Sequence, residues 1–490
     1  GGYAMVKWRD YGYFNYIPPL MPALAALALL SKDIRLSDGT RPVIDANSGY
    51  IDAGNRLIAL SGEDIWRVTM LARLPTLILG GALIAVMFIF LRTLLGPLPA
   101  LGATTLAAFS PNLLAHAKLA TSDVGCAFFM FCAVAAFWWA RHGGGWNRWL
   151  LCGVLTGLAL VSKFTGLLLG PIFVILVVVE TVTKCNLPRH EAGGVEARPL
   201  FRQFLELVFA ASIAWLVVGA TYHGTFDYSL YLEGIHRIYA DHLGGYEFFL
   251  FGKYSADPFW YYYFGTLLVK MPVGSLILVA FGLFLTATRG PMRVAMLYMY
   301  VPAGVILFVS CFDSSNVGLR RIIPAVPFLL ALSAPCFLLI RRNLSMGMGA
   351  LALMTVMETA SAFPHHLSFF NAPSLTIRHP TELADDSNLD WDLDIPRLAQ
   401  WQRDNAPDEP INTFLRWGER WMGSYGVYGV PVSTLDLVQP NPVIYAISAH
   451  NLVRMRRFEQ THHLPLDWLS RYEPVAQAGP SIYIYDFRKR

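Results

Sequence analysis

Long apolar stretches broken by short polar loops fill most of this chain, and a polar tail follows them. Stretches with few charges fall at 69–91, 97–113, 122–140, 203–221, 262–286, 294–311, 322–340 and 346–362. Each is near the roughly 20 residues a helix needs to cross a bilayer. The run from 149 to 181 is too long for one crossing, and Ser162-Lys163 interrupts it, so it divides into two helices meeting at the lysine. The pattern predicts about ten spans. Ile17–Leu30 is apolar but short and carries Pro18, Pro19 and Pro22. Proline removes donors that lipid cannot replace, so this segment reads as a helix lying at the interface. In the tail, Ile395–Arg403 has helical spacing, while Pro442–Ser448 and Ser481–Tyr485 alternate or run apolar like strands. The expected organisation is an outer loop with interfacial helices over 1–68, a transmembrane domain over 69–363, and an exported, soluble α/β domain over 371–490.

Composition supports this division. The chain is 55% hydrophobic and only 15% charged, against roughly 25% charged in soluble proteins, so much of its surface must face lipid. A net charge of +4 spread along 490 residues argues against a nucleic-acid partner. The six cysteines lack metal-ligand spacing and none lies after residue 370, so an exported tail would fold without disulfides.

Basic residues set the orientation. Arg92; Arg141 with Arg148; Lys184, Arg189, Arg198 and Arg202; Arg289 with Arg293; and Arg341 with Arg342 fall in alternate loops. Placing these inside puts residues 1–68, 114–122, 222–261, 312–321 and the tail outside. The segment 1–68 is itself basic, which long exported segments tolerate. The expected location is a bacterial inner membrane, with the C-terminal domain in the periplasm.

On this topology an unusual set of ionisable residues gathers on the outer face. Asp123 begins a helix, Lys163 sits at a helix–helix turn, and His236, Arg237 and His242 lie in a long loop. Lys270 precedes Met271-Pro272, and Arg320 and Arg321 precede Ile322-Ile323-Pro324. Each has a plain structural use. Asp123 would cap its helix, the lysines would snorkel, the arginine pair would meet anionic lipid, and loop histidines are usually solvated. Together they suit a substrate with a phosphate at headgroup level, which arginine and lysine would bind while a carboxylate orients or deprotonates an acceptor.

Asp386-Ser387-Asn388-Leu389-Asp390-Trp391 opens like a calcium loop, but Trp391 stands where glycine is needed and Arg397 where glutamate is needed. A structural turn joining membrane and tail is the better reading. The sequence has no GxxxxGK[ST], no GxGxxG after a strand and no HExxH, so it shows no nucleotide-driven pump or zinc-protease signature.

Seven pieces, in order, resemble the lipid-carrier-dependent glycosyltransferases of family 39, which include the protein O-mannosyltransferases and the aminoarabinose transferase of lipid A. They are Pro18-Pro19-Leu20, Ser110-Pro111-Asn112 through Ala120-Thr121-Ser122-Asp123, Ser162-Lys163-Phe164-Thr165, Asp257-Pro258-Phe259-Trp260-Tyr261-Tyr262, Leu268-Val269-Lys270-Met271-Pro272, Asn316-Val317-Gly318-Leu319-Arg320-Arg321 and Asp386-Ser387-Asn388-Leu389-Asp390-Trp391. The resemblance implies a mainly α, polytopic membrane protein with the GT-C glycosyltransferase fold. It implies inverting transfer of one sugar from a polyprenyl-phosphate carrier to a lipid, glycan or protein acceptor at the outer face. It also implies that Asp123 faces the catalytic cavity and that Lys270, Arg320 and Arg321, with Arg237 and Lys163, lie near the carrier phosphate. In the family an acidic pair in the first outer loop acts as general base some two dozen residues before the Pro-Pro step. Here Asp10 is the only acidic residue before Pro18 and stands too close to it. The expectation is therefore that the pair and its helix lie before Gly1. Asn15-Tyr16-Ile17 stands where some relatives carry an ionisable residue, so a divalent metal at His236 or His242 would lack its carboxylate partner. No cofactor is firmly implied. The rival readings are a transporter or flippase, which should show duplicated halves and midplane charges, a ligase using a pyrophosphate-linked donor, and an assembly subunit without catalysis.

Overall fold

The computed structural model describes residues 1–11, 17–31, 64–143, 145–186, 199–222, 226, 228–241, 247–339, 342–417, 419 and 421–488. Caps, glycines and prolines decide where its helices break. Helix α1 (Leu20–Ala25) starts from the Pro18-Pro19 step and tightens into a 3₁₀ turn, Ala26–Leu29. Helix α2 (Ile65–Leu95) is capped by Asp64, whose carboxylate accepts the Trp66 N–H. It ends at Gly96, whose φ of 91° favours glycine, and Pro97 then opens α3 (Pro97–Ala108). Ser110 caps a short helix, α4 (Pro111–Ala117), so the apolar stretch 97–113 is two helices rather than one. Helices α5 (Ser122–Gly143) and α6 (Trp146–Ser162) follow. The expected break at Lys163 is present: its backbone is extended, and a 3₁₀ turn, Phe164–Leu168, leads into α7 (Leu169–Asn186). Helices α8 (Leu200–Thr221) and α9 (Ser229–Asp241) precede a hairpin of β1 (Phe248–Leu250) and β2 (Lys253–Ser255).

The stretch 262–286 divides into α10 (Tyr262–Lys270) and α11 (Val273–Thr288), because Pro272 supplies no N–H and holds Met271 extended. Helices α12 (Gly290–Ala295) and α13 (Leu297–Ser310) come next. Prolines 324, 327 and 335 divide 319–338 into a 3₁₀ turn, α14 (Val326–Ala331) and a second 3₁₀ turn, before α15 (Arg342–Ser361). Among the described residues five segments are long and apolar enough to cross a membrane: Ile65–Leu95, Ser122–Gly143, Phe164–Val182, Leu200–Thr221 and Leu319–Leu338. The shorter apolar helices α11 and α13 stand beside them. The protein is a multi-pass membrane protein whose expected spans are in several places proline-broken pieces.

Close backbone approach joins α6 to α8. A Cβ on Gly153 would lie 2.7 Å from the Ala210 carbonyl oxygen, and one on Gly157 2.8 Å from that of Ala214. In lipid the helices gain little from hydrophobic exclusion, so small residues spaced one turn apart supply tight packing instead. Met87, Leu91, Phe131, Phe137, Trp149 and Phe328 fill the bundle core.

In the tail, helices α16 (Ala372–Ile377), α17 (Pro380–Leu383) and α18 (Ile395–Asn405) lead to a five-stranded sheet. Its strands are β3 (Ile411–Phe414), β4 (Gly429–Pro431), β5 (Ile444–Ser448), β6 (Ala476–Ala478) and β7 (Ile482–Asp486), in the order β4-β3-β5-β7-β6. Helices α19 (Ala449–His462) and α20 (Trp468–Arg471) fall between β5 and β6. The period of two is clear in the core: Ile444, Ala446, Ile482 and Ile484 pack on one face with α18, and Tyr445, Ile447, Tyr483 and Tyr485 on the other with α19 and Trp468. Both faces are therefore covered, which is why these strands read as apolar runs. Val269 of α10 and Phe370 belong to the second of these cores, so tail and bundle are packed together.

Candidate functional site

Three breaks in the helical bundle meet at one end of it. Asp123 lies in the first turn of α5, only 2% exposed. Lys163, at the α6–α7 break, reaches it with Nζ 2.6 Å from Oδ1. From α4 comes His116, buried, its Nδ1 3.8 Å from Asp123 Oδ2. Arg320 stands in the 3₁₀ turn that follows Gly318, its guanidinium 4.8 Å above the Trp391 ring, and its charge acts on both His116 and Asp123. Trp391 also meets His116 edge-on at 6.3 Å. The tail thus supplies one wall of a site whose charges come from the bundle.

Four buried polar atoms here have no hydrogen-bond partner among the described residues: His116 Nδ1, Thr121 Oγ1, Asp123 Oδ2 and Arg320 Nε. Buried groups are normally satisfied, and a local concentration of exceptions marks a place where a ligand or water completes the bonding. Burial pushes the His116 imidazole down to about 4, against the upward pull of Asp123 and with help from Arg320, Lys163 and Lys270. The ring is therefore neutral at physiological pH. The formal balance of Asp123 against Lys163 and Arg320 leaves one positive charge, suited to a phosphate.

The other expected residues have different places. Lys270 is buried and donates to the carbonyl oxygens of Leu367 (2.6 Å) and Asn388 (2.5 Å), with the Phe370 ring 4.4 Å away. That makes it a clamp between bundle and tail, not an open phosphate ligand, because two carbonyls and a ring already occupy its ammonium. Arg321 is tied to Asp313, Nε to Oδ2 at 3.2 Å, and to Ser315; Asp313 is in turn held by the Tyr263 hydroxyl at 2.8 Å. Arg237 pairs with Glu233 one turn earlier on α9 at an exposed position. That helix packs near Lys163 through Tyr231 and Phe164, but Arg237 itself is engaged along its own helix. His236 is exposed on the same helix, Asp10 is half-buried after the turn Ala4–Trp8, and His242 lies outside the described residues. Among the described residues no cluster of three or more His, Cys, Asp or Glu side chains could hold a metal ion.

The turn Asp386–Asn388 is the structural joint that its failed calcium pattern suggests. Asn388 accepts the Leu319 N–H through Oδ1 (3.0 Å) and donates to the Tyr262 hydroxyl (2.8 Å), while Ser387 donates to the Val317 carbonyl (2.6 Å). Asn112 of the Ser110-Pro111-Asn112 piece donates to the Lys270 carbonyl at 2.7 Å. Sequence reasoning passed over His116 and Trp391. Their signal was present, a histidine seven residues before Asp123 and a tryptophan closing the joint motif, but only folding brings them together.

Residues 57–192 match the family described as dolichyl-phosphate-mannose-protein mannosyltransferase. That segment includes α2 to α7. It holds His116, Asp123 and Lys163; Arg320 and Trp391 lie beyond it. Comparison by sequence with curated proteins finds no match. Among solved structures the chain is similar to ArnT from Cupriavidus metallidurans, in the apo state and bound to undecaprenyl phosphate. Each of these two comparisons has a TM-score of 0.48 and 12% identity, and covers 99% of this chain and 91% of that one. It is also similar to the archaeal oligosaccharyltransferase AglB from Archaeoglobus fulgidus, in complex with an inhibitory peptide and a dolichol-phosphate, with a TM-score of 0.47 and 12% identity over 96% of this chain and 66% of that one.

Proposed function

We propose that this protein is an inverting glycosyltransferase of the GT-C kind, which moves one sugar from a polyprenyl-phosphate carrier to an acceptor hydroxyl at the outer membrane face. The observation that carries the reading is the meeting of Asp123, Lys163, Arg320 and His116 at one end of the bundle, three of them within the segment that matches the mannosyltransferase family.

The chemistry follows from the charges. The acceptor oxygen forms its bond to the anomeric carbon as the bond from that carbon to the phosphate oxygen breaks, and the phosphate leaves with the electron pair. Lys163 and Arg320 neutralise that growing charge from fixed positions, which avoids the reorganisation water would need. Asp123 holds Lys163 through Oδ1 and offers Oδ2 to the acceptor hydroxyl. The acceptor's proton passes to a carboxylate base, the role the family resemblance gives to a first-loop acidic pair. The carrier's prenyl tail enters between helices from the bilayer.

Orientation is supported by α5 alone. Asp123 begins it and Arg141 lies near its other end, about 27 Å away at 1.5 Å per residue, close to the bilayer's hydrocarbon thickness. Basic residues favour the cytoplasmic side, so Asp123 and the C-terminal domain face outward, into the periplasm of a bacterial inner membrane. Transfer from a radiolabelled polyprenyl-phosphate sugar in membranes tests the function. Asp123→Asn is expected to lower it by about two orders of magnitude or more; undiminished transfer overturns the reading.

A further inference from the structure

A cavity lies behind Trp391. It is a cleft of about 390 Å³ between the start of α2, the loop after α4 and the tail, lined among others by Trp66, Arg73, Lys118, Trp391, Asp394 and Tyr425. Its size falls within the range of small-molecule sites, roughly 300–1,000 Å³. Its far wall is the near wall of the Asp123 site, since Trp391 faces His116 and Arg320 there.

Two features of the lining point to a ligand. The first is Arg73, two turns into a membrane-spanning helix, half-buried and without a hydrogen-bond or ion-pair partner among the described residues. A half-buried guanidinium without a counter-charge is costly, and this group fits a phosphate or carboxylate. The acids nearby are already engaged: Asp394 takes the Ser481 hydroxyl and N–H and sits 3.4 Å from both Arg397 and His365, and Asp392 takes the Trp417 N–H. Lys118, bonded to His366 Nδ1 at 2.7 Å and to the Pro364 carbonyl, adds a second cation. The second feature is aromatic. Trp391 forms one wall, and Trp66 meets Tyr425 edge-on at 5.1 Å to form another. Flat rings with a polar edge suit the apolar face of a pyranose, while the surrounding polar groups suit its hydroxyls.

We propose that this cleft is the acceptor subsite and takes an anionic saccharide, its ring against Trp391 and Tyr425 and its phosphate or carboxylate against Arg73 and Lys118. Its role as acceptor rests on the glycosyltransferase reading above; the binding of an anionic sugar does not. Donor and acceptor then lie on opposite sides of Trp391, and an acceptor hydroxyl reaches Asp123 past the edge of that ring.

The test is calorimetric titration of the full chain, purified in an amine-oxide detergent that carries no sugar. The probes are glucose 6-phosphate, methyl glucoside, inorganic phosphate and tri-glutamate. Glucose 6-phosphate is expected to bind at least tenfold more tightly than the other three. Arg73→Gln is expected to weaken it tenfold or more, Arg73→Lys to restore part of the loss, and Tyr425→Ala to weaken glucose 6-phosphate but not phosphate. Arg320→Gln, which removes a donor-site cation, should leave it unchanged. Because Arg73 has no hydrogen-bond or ion-pair partner among the described residues, Arg73→Gln should also raise the melting temperature, the reverse of what a structural arginine would show. Four results would each overturn the proposal: no binding of glucose 6-phosphate at millimolar concentration, equal binding by Arg73→Gln, loss of binding in Arg320→Gln, or preference for tri-glutamate or bare phosphate. Sugar transfer that fails while glucose 6-phosphate still binds through Arg73 would sink the enzymatic reading and leave the site standing.

Discussion

Lys163 and Asp123, 40 positions apart in the chain, meet in an ion pair of 2.6 Å whose carboxylate is almost wholly buried. Each residue ends or begins a helix, so the pair ties the α6–α7 break to the start of α5 and fixes the distance between them. A pair this enclosed costs more to break than it contributes when whole. Lys163→Met is therefore expected to destabilise the protein by about 3–5 kcal/mol. The double variant Lys163→Met with Asp123→Asn should recover most of that loss. Thermal unfolding of the detergent-solubilised variants measures both; a double variant no better than the single one contradicts the pairing.

Lys270 offers a test of clamp against phosphate ligand. Lys270→Met removes the donor to the Leu367 and Asn388 carbonyls, each of which then costs about 1–3 kcal/mol unsatisfied. The expected result is faster proteolytic cleavage within 364–394 and reduced stability, with carrier-phosphate affinity unchanged. A variant that folds normally and loses carrier affinity would return Lys270 to the phosphate.

Packing of α6 on α8 makes a steric prediction. Gly157→Leu would press a side chain onto the Ala214 carbonyl and Val217, and overpacking of this kind costs about 1–3 kcal/mol. Gly170, in α7, has nothing within 4 Å of its would-be Cβ, so Gly170→Ala should be neutral or stabilising by up to about 1 kcal/mol. Equal melting temperatures for the two variants would contradict the close approach.

Stability of the tail should depend on acid through Asp385. Burial alone would raise its pKa, but His450 at 2.8 Å and Arg454 at 2.7 Å outweigh that and hold the carboxyl well below the usual carboxylate range. A carboxylate with a depressed folded pKa contributes stability that is fully present above its unfolded pKa, about 3.9, and is lost as pH falls through the folded value. Asp385→Asn should therefore lower the melting temperature at pH 6, and the gap to the parent should narrow below about pH 4. A gap that stays constant across that range would show that the pair is not what titrates.

Much of this architecture is legible without coordinates. The break at Lys163, helix Ile395–Asn405 and strands β5 and β7 all follow from local patterns of apolar residues. Strands β3, β4 and β6 are only three or four residues long, and α19 is polar along most of its length, so periodicity offered little to find them by. In the bundle, hydropathy counted apolar residues and passed over Pro272, Pro324 and Pro327, whose missing donors divide the helices.

The sequence by itself determined that this chain belongs in a bilayer, because apolar length and scarce charge are properties of the residues alone. It also singled out Asp123, Lys163 and Arg320 as ionisable groups at the ends of apolar segments, where desolvation makes a charge conspicuous. The tertiary structure alone decided which of the cations stand open. Lys270 and Arg321 carry the same charge as Arg320, yet the distant carbonyls of Leu367 and Asn388 occupy the first and the carboxylate of nearby Asp313 the second, while among the described residues Arg320 meets the face of Trp391. A side chain's charge is written in the sequence, but its availability depends on partners up to a hundred or more positions away.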